Sequence, residues 1–384
     1  MKENKSQDSG FLFTLNEFSG SLGDLGLFLP LVIAISIETH MNFGIILIAA
    51  GAMNIVTGLI FRQPIPVQPM KAMAAVAITE GMLRDELVAA GIIMGVILFL
   101  LSVTGMIDKF TKVIPKPIVR GIQFGAGAKL MLKALDWVQG LPAVDGFDSV
   151  LIAVIISTIL FFFSSKKFPA LVVIFILGFI VIRWTHPAEF NSIEFELPRP
   201  EFFLPQVEYW KEGLLKGVLP QLPLTILNSV VAVCALSADY FPGRGIPPRK
   251  MAMSVGLMNL VAVPLGGIPM CHGAGGLAAQ NSFGARTGAS VVMLGVLKIL
   301  VGLLFGTSIV WLLQVYPTSI FAPMLLYAGY QLSRAARDMT KWNEFAVVLI
   351  TTVFILWLNT WIGFLAGCVA FIILIPVVRR GKFE

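Results

Sequence analysis

Long apolar runs separated by short polar segments make up most of this chain of 384 residues. A helix that crosses a bilayer needs about 20 mostly apolar residues, and a broken helix needs fewer. The pattern therefore predicts an all-α integral membrane protein with fourteen transmembrane elements. The first seven are expected at residues 11–36, 43–62, 66–80, 86–107, 117–137, 147–164 and 168–184. The other seven are expected at residues 213–236, 250–265, 268–284, 288–313, 317–333, 343–358 and 360–378.

Composition and charge support this interpretation. Of all residues, 57% are hydrophobic and 13% are charged, whereas a globular domain usually carries about 25% charged residues. With the N-terminus inside, 19 of the 28 Lys and Arg residues fall in inner segments and 7 in outer ones. The positive-inside rule then predicts that the N- and C-termini are both cytoplasmic, and we expect a multi-pass protein of the cell (inner) membrane.

Partners and cofactors are restricted by the same composition. The basic residues do not cluster in one segment, so we expect the lipid bilayer rather than nucleic acid as the large partner. Three scattered cysteines give neither a disulfide framework nor paired metal-ligand spacing. We therefore predict no metal site and no cofactor, and a homodimer stays an open alternative.

An internal repeat relates the two halves. "GAMNIV" at 51–56 is echoed by "GLMNLV" at 256–261, and "IPVQPMKAMAAV" at 65–76 parallels "IPMCHGAGGLAA" at 268–279. A polar trio at i, i+4 and i+7 recurs at an offset of 204: Glu17, Ser21 and Asp24 in the first half, Gln221, Thr225 and Asn228 in the second. Seven elements separate the copies, so the pattern predicts two seven-element repeats of opposite topology, 11–184 and 213–378, joined by an extracytoplasmic linker at 185–212.

The third and tenth elements are too short and too rich in Gly and Pro to cross as plain helices. We predict a short extended segment followed by a half-helix in each, starting near Pro69 or Met70 in one and near Cys271 or His272 in the other. Two half-helices that begin in mid-membrane would point free N–H groups and positive dipole ends at one place. Such an arrangement is a site for an anion.

Candidate substrate-binding residues follow from these starts. They are Ser21, Gln68, Pro69, Met70, Lys71, Asn228, Cys271, His272, Gly273, Ala274 and Gly275. Simpler roles remain open for some of them: Gly275 can serve helix packing, His272 can bond a backbone carbonyl, and Lys71 can point into a hydrated cavity. Asp24 and Glu17 are candidates for cation coupling because intramembrane carboxylates usually line a pathway, although Glu17 also fits an interfacial position.

Three segments resemble a known family. "GSLGDLGLFLPLVIAIS", "PVQPMKAMAAVAI" and "CHGAGGLAAQNSFGARTGAS" are similar to signature segments of the molybdate transporter family, which is related to the sulfate permease superfamily. The resemblance covers nearly the whole chain. It implies a core domain of residues 11–107 and 213–313 and a gate domain of 117–184 and 317–378, with substrate held between the half-helix starts and the first and eighth elements.

Two departures from the related sulfate permeases, which usually continue into a cytoplasmic STAS domain, matter. The chain ends shortly after its last predicted element, so we expect no STAS domain. The eighth element carries Gln221, Thr225 and Asn228 where many relatives place an acid. Cation coupling is then expected at Asp24.

Together these features predict a secondary active transporter of a tetrahedral oxyanion, molybdate first and sulfate second, coupled to a proton or a sodium ion. The mechanism expected is alternating access of core against gate. A nucleobase or carboxylate symporter of the same fold and a passive anion channel are the alternatives. An intramembrane enzyme is disfavoured, because no nucleophile motif accompanies His272.

Overall fold

A computed structural model describes residues 11–163, 170–188, 197–305 and 315–375. The described part is mostly helical and contains one two-stranded sheet. The predicted ends at 164, 168, 313 and 378 and part of the predicted linker lie outside the described residues.

The first half contains nine helices and one strand within these ranges. They are α1 Leu15–Leu22, α2 Leu25–Thr39, α3 Phe43–Phe61, β1 Val67–Pro69, α4 Lys71–Thr79, α5 Arg84–Val103, α6 Ile107–Val113, α7 Lys116–Gln139, α8 Val150–Phe163 and α9 Ala170–Thr185. Most bounds lie within a few residues of the prediction. The short α6, which joins the fourth and fifth elements, was not predicted; its seven residues are mostly polar or charged.

The second half follows the same order. Its elements are α10 Val207–Tyr240, α11 Pro248–Ala262, β2 Met270–His272, α12 Ala274–Ser282, α13 Ala289–Phe305, α14 Thr318–Ser333, α15 Trp342–Trp357 and α16 Thr360–Leu374. Among the described residues, α3, α5 and α10 are long and apolar enough to cross a membrane by themselves. The pair α1 and α2 meets the same criterion as one span bent by 42°, and five further apolar helices are shorter.

Two of the crossing helices are irregular for reasons visible in the sequence. Between α1 and α2 the chain bends at Gly23 and Asp24, and the Asp24 side chain does not cap α2. Within α10, Pro223 lacks a backbone N–H, and wide π-helical turns occupy Gly213–Val218 and Thr225–Ala232. A proline or a π-bulge inside a helix redirects side chains and often marks a functional position.

Close packing of α3 against α13 fixes the frame around the site. Gly51 faces Gly295: a Cβ added at Gly51 would lie 2.6 Å from the carbonyl oxygen of Gly295. Gly58 meets Gly288 in the same way, one heptad along. Small residues let two helices approach closely in a bilayer, where packing rather than burial from water drives association.

The two broken elements meet each other. β1 pairs antiparallel with β2, with Val67 opposite His272, Gln68 opposite Cys271 and Pro69 opposite Met270. The Met70 N–H also donates to the Pro269 carbonyl at 2.9 Å. This pairing holds both segments extended for longer than predicted. The half-helices therefore begin at Lys71 and Ala274, so the expected starts at Pro69 or Met70 and at Cys271 or His272 are wrong by one to three residues.

Candidate functional site

The antiparallel pairing of β1 and β2 places the starts of α4 and α12 at opposite ends of a three-residue ladder in the protein interior. Side chains along a strand alternate between its two faces. Gln68 and Cys271, the middle residues of β1 and β2, therefore project to the face opposite that of their neighbours in the same strand. Both are almost fully buried. The candidate site is thus built on two short strands that position two helix ends.

The start of α12 is open. Gly273 is its N-cap, and the first amide of this turn with an acceptor is that of Leu277, which donates to the Gly273 carbonyl at 3.1 Å. Within the described part of the chain, the amides of Ala274 and Gly275 have no acceptor. Gly275 is exposed, and no heavy atom lies within 4 Å of the position a Cβ would take there. Free N–H groups beside open space are suited to an anion.

Lys71 brings a positive charge to the same place. Its side chain is mostly buried, at 9% exposure, and its Nζ lies 3.6 Å from the position of a Cβ added to Gly273. Across the described ranges, this ammonium forms no hydrogen bond and no ion pair. A buried cation without a partner is costly unless a mobile anion compensates it.

The start of α4 is closed, which the sequence did not reveal. The Gln221 side chain reaches over from α10, and its Oε1 accepts from the amides of Ala72 and Met73 at 2.8 and 3.2 Å. Its Nε2 donates to Thr225 at 2.8 Å. The predicted pair of equivalent free helix ends is therefore wrong for α4, because a side-chain oxygen already occupies two of its amides.

Gln68 does not donate toward the α12 start. Its Nε2 donates to Oδ1 of Asp24 in a short hydrogen bond, and its Oε1 faces Gly273. The other Asp24 oxygen, Oδ2, lies 3.9 Å from Nζ of Lys298 on α13. Asp24 was a predicted site residue and Lys298 was not, although a single lysine within the apolar run "GVLKILV" is a functional signal in a membrane protein.

His272 is held by protein groups on both ring nitrogens. Nε2 lies 3.0 Å from the Ser254 hydroxyl, and Nδ1 lies 3.3 Å from the Pro66 carbonyl. Because a carbonyl can only accept, Nδ1 carries the hydrogen and Nε2 accepts from Ser254. The ring also packs edge-on against Phe61. Its substrate role stays a prediction, but neither nitrogen is free in this structure.

The remaining candidates come from α1, the junction of β1 and α4, β2 and α10. Cys271 neighbours Lys71 and Ser229. Ser21 is buried and donates to the Phe18 carbonyl at 2.6 Å. Asn228 is half-buried in a π-helical turn of α10, and its side chain has no hydrogen-bond partner among the described residues. Pro69 and Met70 contribute backbone to the strand crossing.

Glu17 lies away from this cluster. Its Oε1 accepts from the amides of Arg286 and Thr287 at 2.8 and 2.9 Å, next to the start of α13. A carboxylate of α1 thus satisfies backbone N–H groups just before the start of α13. Within the described part of the chain, no group of three or more His, Cys, Asp or Glu side chains is arranged to hold a metal ion.

Comparison with known proteins identifies the family. The model of a family described as "Molybdate transporter of MFS superfamily" matches residues 16–130 and 213–332. Molybdate transporter 1 of Arabidopsis thaliana is 36% identical over 95% of this chain and 89% of its own length. The chain belongs to the molybdate transporter family. Molybdate transporter 2 of the same plant is 33% identical over 94% of this chain and 87% of its own length.

Solved structures agree on the fold. The transmembrane domain of the cyanobacterial bicarbonate transporter BicA superposes with a TM-score of 0.68, covering 92% of this chain and 96% of that one at 15% identity. This likeness concerns the fold alone. The predicted family is confirmed, and the chain is a multi-pass membrane protein of a transporter family rather than an enzyme family.

Proposed function

We propose that this member of the molybdate transporter family is a secondary active transporter of a tetrahedral oxyanion, molybdate before sulfate. The single observation that carries the proposal is the open start of α12 beside the unpaired ammonium of Lys71. Two amides and a cation on one side of an accessible space suit a compact anion with several acceptor oxygens. The names of the plant relatives favour molybdate as the anion.

The proposed binding residues fall into two groups. The amides of Ala274 and Gly275 and the ammonium of Lys71 would hold the oxygens, while Gly273 allows close approach of the backbone. Cys271 and Asn228 would contribute side chains from β2 and α10. Ser21, Gln68, Pro69, Met70 and His272 would shape and support the pocket in the conformation described here.

The proposed architecture is two inverted seven-element repeats. The strand register supports it: Gln68 and Cys271 occupy equivalent positions in the repeat and pair with each other at the centre of the sheet. A pseudo-twofold axis in the membrane plane would relate the halves in this way. We further propose that the N- and C-termini are cytoplasmic, on the strength of the Lys and Arg distribution.

Alternating access of a core against a gate domain would move the site between the two sides. Polar contacts between the proposed domains gather at the predicted outer ends of the helices. Glu80 at the end of α4 accepts from Lys129 of α7 at 2.7 Å, and Glu38 of α2 pairs with Lys133 of α7 at 3.0 Å. Glu80 also accepts from the Thr360 amide at 2.9 Å, at the start of α16. These contacts support a conformer closed on the outer side.

Uptake of a dianion into a negative interior is opposed by about 2.3 kcal/mol per charge per 100 mV. We therefore propose coupling to a cation, a proton or sodium, at Asp24. Glu17 is the weaker candidate because its carboxylate is already engaged by backbone amides.

Calorimetry on purified protein tests the substrate. Molybdate and tungstate should bind, sulfate and selenate more weakly, and uracil or benzoate not at all. Binding of uracil without any oxyanion would replace this function with the nucleobase alternative.

Uptake into proteoliposomes tests coupling. Asp24→Asn should lose accumulation driven by a cation gradient. Glu17→Gln should retain it, because an amide oxygen can still accept from Arg286 and Thr287. Undiminished accumulation in Asp24→Asn would remove Asp24 from coupling.

A further inference from the structure

The Gln68 side chain turns its amide oxygen, a hydrogen-bond acceptor, toward the proposed anion site. With Nε2 committed to Asp24, its Oε1 is the atom nearest to Gly273, at the edge of the open α12 start. That oxygen is buried and has no hydrogen-bond partner among the described residues. Buried acceptors are normally satisfied. An unpartnered acceptor beside a proposed anion site repels the anion and indicates that this orientation belongs to the empty site.

Asp24 determines which way the amide points. As a carboxylate it can only accept, and the groups that face it are donors: Gln68 of β1, Lys71 of α4 and Lys298 of α13. Its Oδ2 has no hydrogen bond. On β2, the Cys271 thiol neighbours Lys71, and the ring of His272 bonds Ser254 and Pro66.

Lys298 sustains the charged form of Asp24. Its side chain is 2% exposed, and its Nζ lies 3.3 Å from the centre of the Phe28 ring and 3.5 Å from the Val67 carbonyl. At 3.9 Å from Oδ2, the ammonium attracts the carboxylate without a hydrogen bond. A cation fixed in this way favours the charged over the neutral carboxyl group.

We propose that a proton binding to Asp24 reverses the Gln68 amide and so turns an acceptor into a donor at the anion site. The inference rests on the proposed function and specifies its coupling ion. A proton from water adds to the Asp24 carboxylate, and the new O–H needs an acceptor. The ammonium groups cannot accept. Gln68 Oε1 can, once the amide rotates by half a turn, and its NH₂ group then faces Gly273 and the anion.

Charge balance also indicates that one proton binds with each dianion. With the site empty, Asp24 offsets one of the two lysines, Lys71 and Lys298. With Asp24 neutral, the two ammonium groups together balance a dianion. One proton and one dianion therefore bind together. Each raises the affinity of the protein for the other by the same factor, as thermodynamic linkage requires.

Calorimetry in buffers of different ionisation enthalpy measures the proton directly. Wild-type protein should take up about one proton for each molybdate bound at high pH, and its affinity should fall up to about tenfold per pH unit there. Asp24→Asn should bind molybdate without proton uptake and with nearly constant affinity, because the NH₂ group of the substituted side chain donates to Gln68 Oε1 and holds the reversed amide. Asp108→Asn, an exposed acid on α6, is the matched control and should behave as wild type.

Lys298→Met provides an independent test of the same inference. Without the ammonium, neutral Asp24 should persist to higher pH, so the fall in molybdate affinity should begin at higher pH than in wild type. Proton uptake that persists in Asp24→Asn, or an unshifted pH profile in folded Lys298→Met, would overturn the inference. Failure of wild-type protein to bind any oxyanion would instead overturn the proposed function. Molybdate binding by wild-type protein without proton uptake would leave that function standing and refute only the amide reversal.

Discussion

The starts of α4 and α12 occupy equivalent positions in the sequence repeat but are chemically different. At α4, the amides of Ala72 and Met73 are held by Gln221. At α12, the equivalent positions are Gly275 and Gly276, and open space adjoins Gly275. The positive charge is also unequal, since Lys71 belongs to the α4 turn but its ammonium lies next to Gly273. In the proposed anion site, the second half of the chain would therefore supply the amides and the first half would supply the cation.

Closing the open start should have the largest effect. Gly275→Leu places a side chain in space that is empty in the structure, so the fold should persist while the amides of α12 become covered. Losing charge-assisted hydrogen bonds worth about 1.5–3 kcal/mol each should weaken molybdate binding by at least about 100-fold. Binding is measured by calorimetry and folding by thermal stability in detergent.

The matched control alters the equivalent position in α4. Ala72→Gly should leave affinity within about threefold, a difference below 1 kcal/mol. Equal losses of affinity in Gly275→Leu and Ala72→Gly, with both proteins folded, would mean that the two helix starts do not differ in the way described.

Removing the cation should have the next largest effect. Lys71→Met keeps most of the length of the side chain but removes the ammonium, so molybdate affinity should fall by about 10- to 100-fold, as for loss of a hydrogen bond to a charged group. Lys112→Met on α6, where the side chain is exposed, serves as the control. Unchanged affinity in Lys71→Met would place this side chain outside the anion site.

Removing the Gln221 side chain, which covers the α4 amides, should have the smallest effect on molybdate binding. Gln221→Ala removes a side-chain cap, which costs about 0.5–2 kcal/mol of stability, so the melting temperature should fall. Molybdate affinity should stay within about threefold of wild type. A clear increase in affinity would indicate that Gln221 competes with the anion for the α4 amides and that α4 is a binding end as well.

Much of this site was predictable from local sequence. Pro66, Pro69 and Pro269 break the third and tenth elements, and both became a short strand plus a half-helix as predicted. The start positions shifted because β1 and β2 pair across some 200 residues, a contact that local propensity does not encode. Alternation along β2 places Cys271 and His272 on opposite faces of the strand. Their adjacent positions in an extended segment would therefore have indicated different roles for the two side chains.

The chemical difference between the starts of α4 and α12 was not predictable from the sequence. Gln221 lies 149 residues from Ala72, and its position in a helical face predicts neither which helix it reaches nor that it caps one. Lys298 was visible as one charge in an apolar run, but its partner depends on how α13 packs against α2 and β1. Tertiary packing therefore decided which repeat unit remained open.

A structure of the wild-type protein with bound tungstate, whose heavy atom locates the anion, shows which helix start holds the substrate. We expect the metal atom beside the start of α12, with its oxygens within hydrogen-bond distance of the Ala274 and Gly275 amides and of the Lys71 ammonium. Gln221 should still bond Ala72 and Met73. Tungstate bound to the α4 amides with Gln221 displaced, or bound symmetrically between the two helix starts, would contradict it.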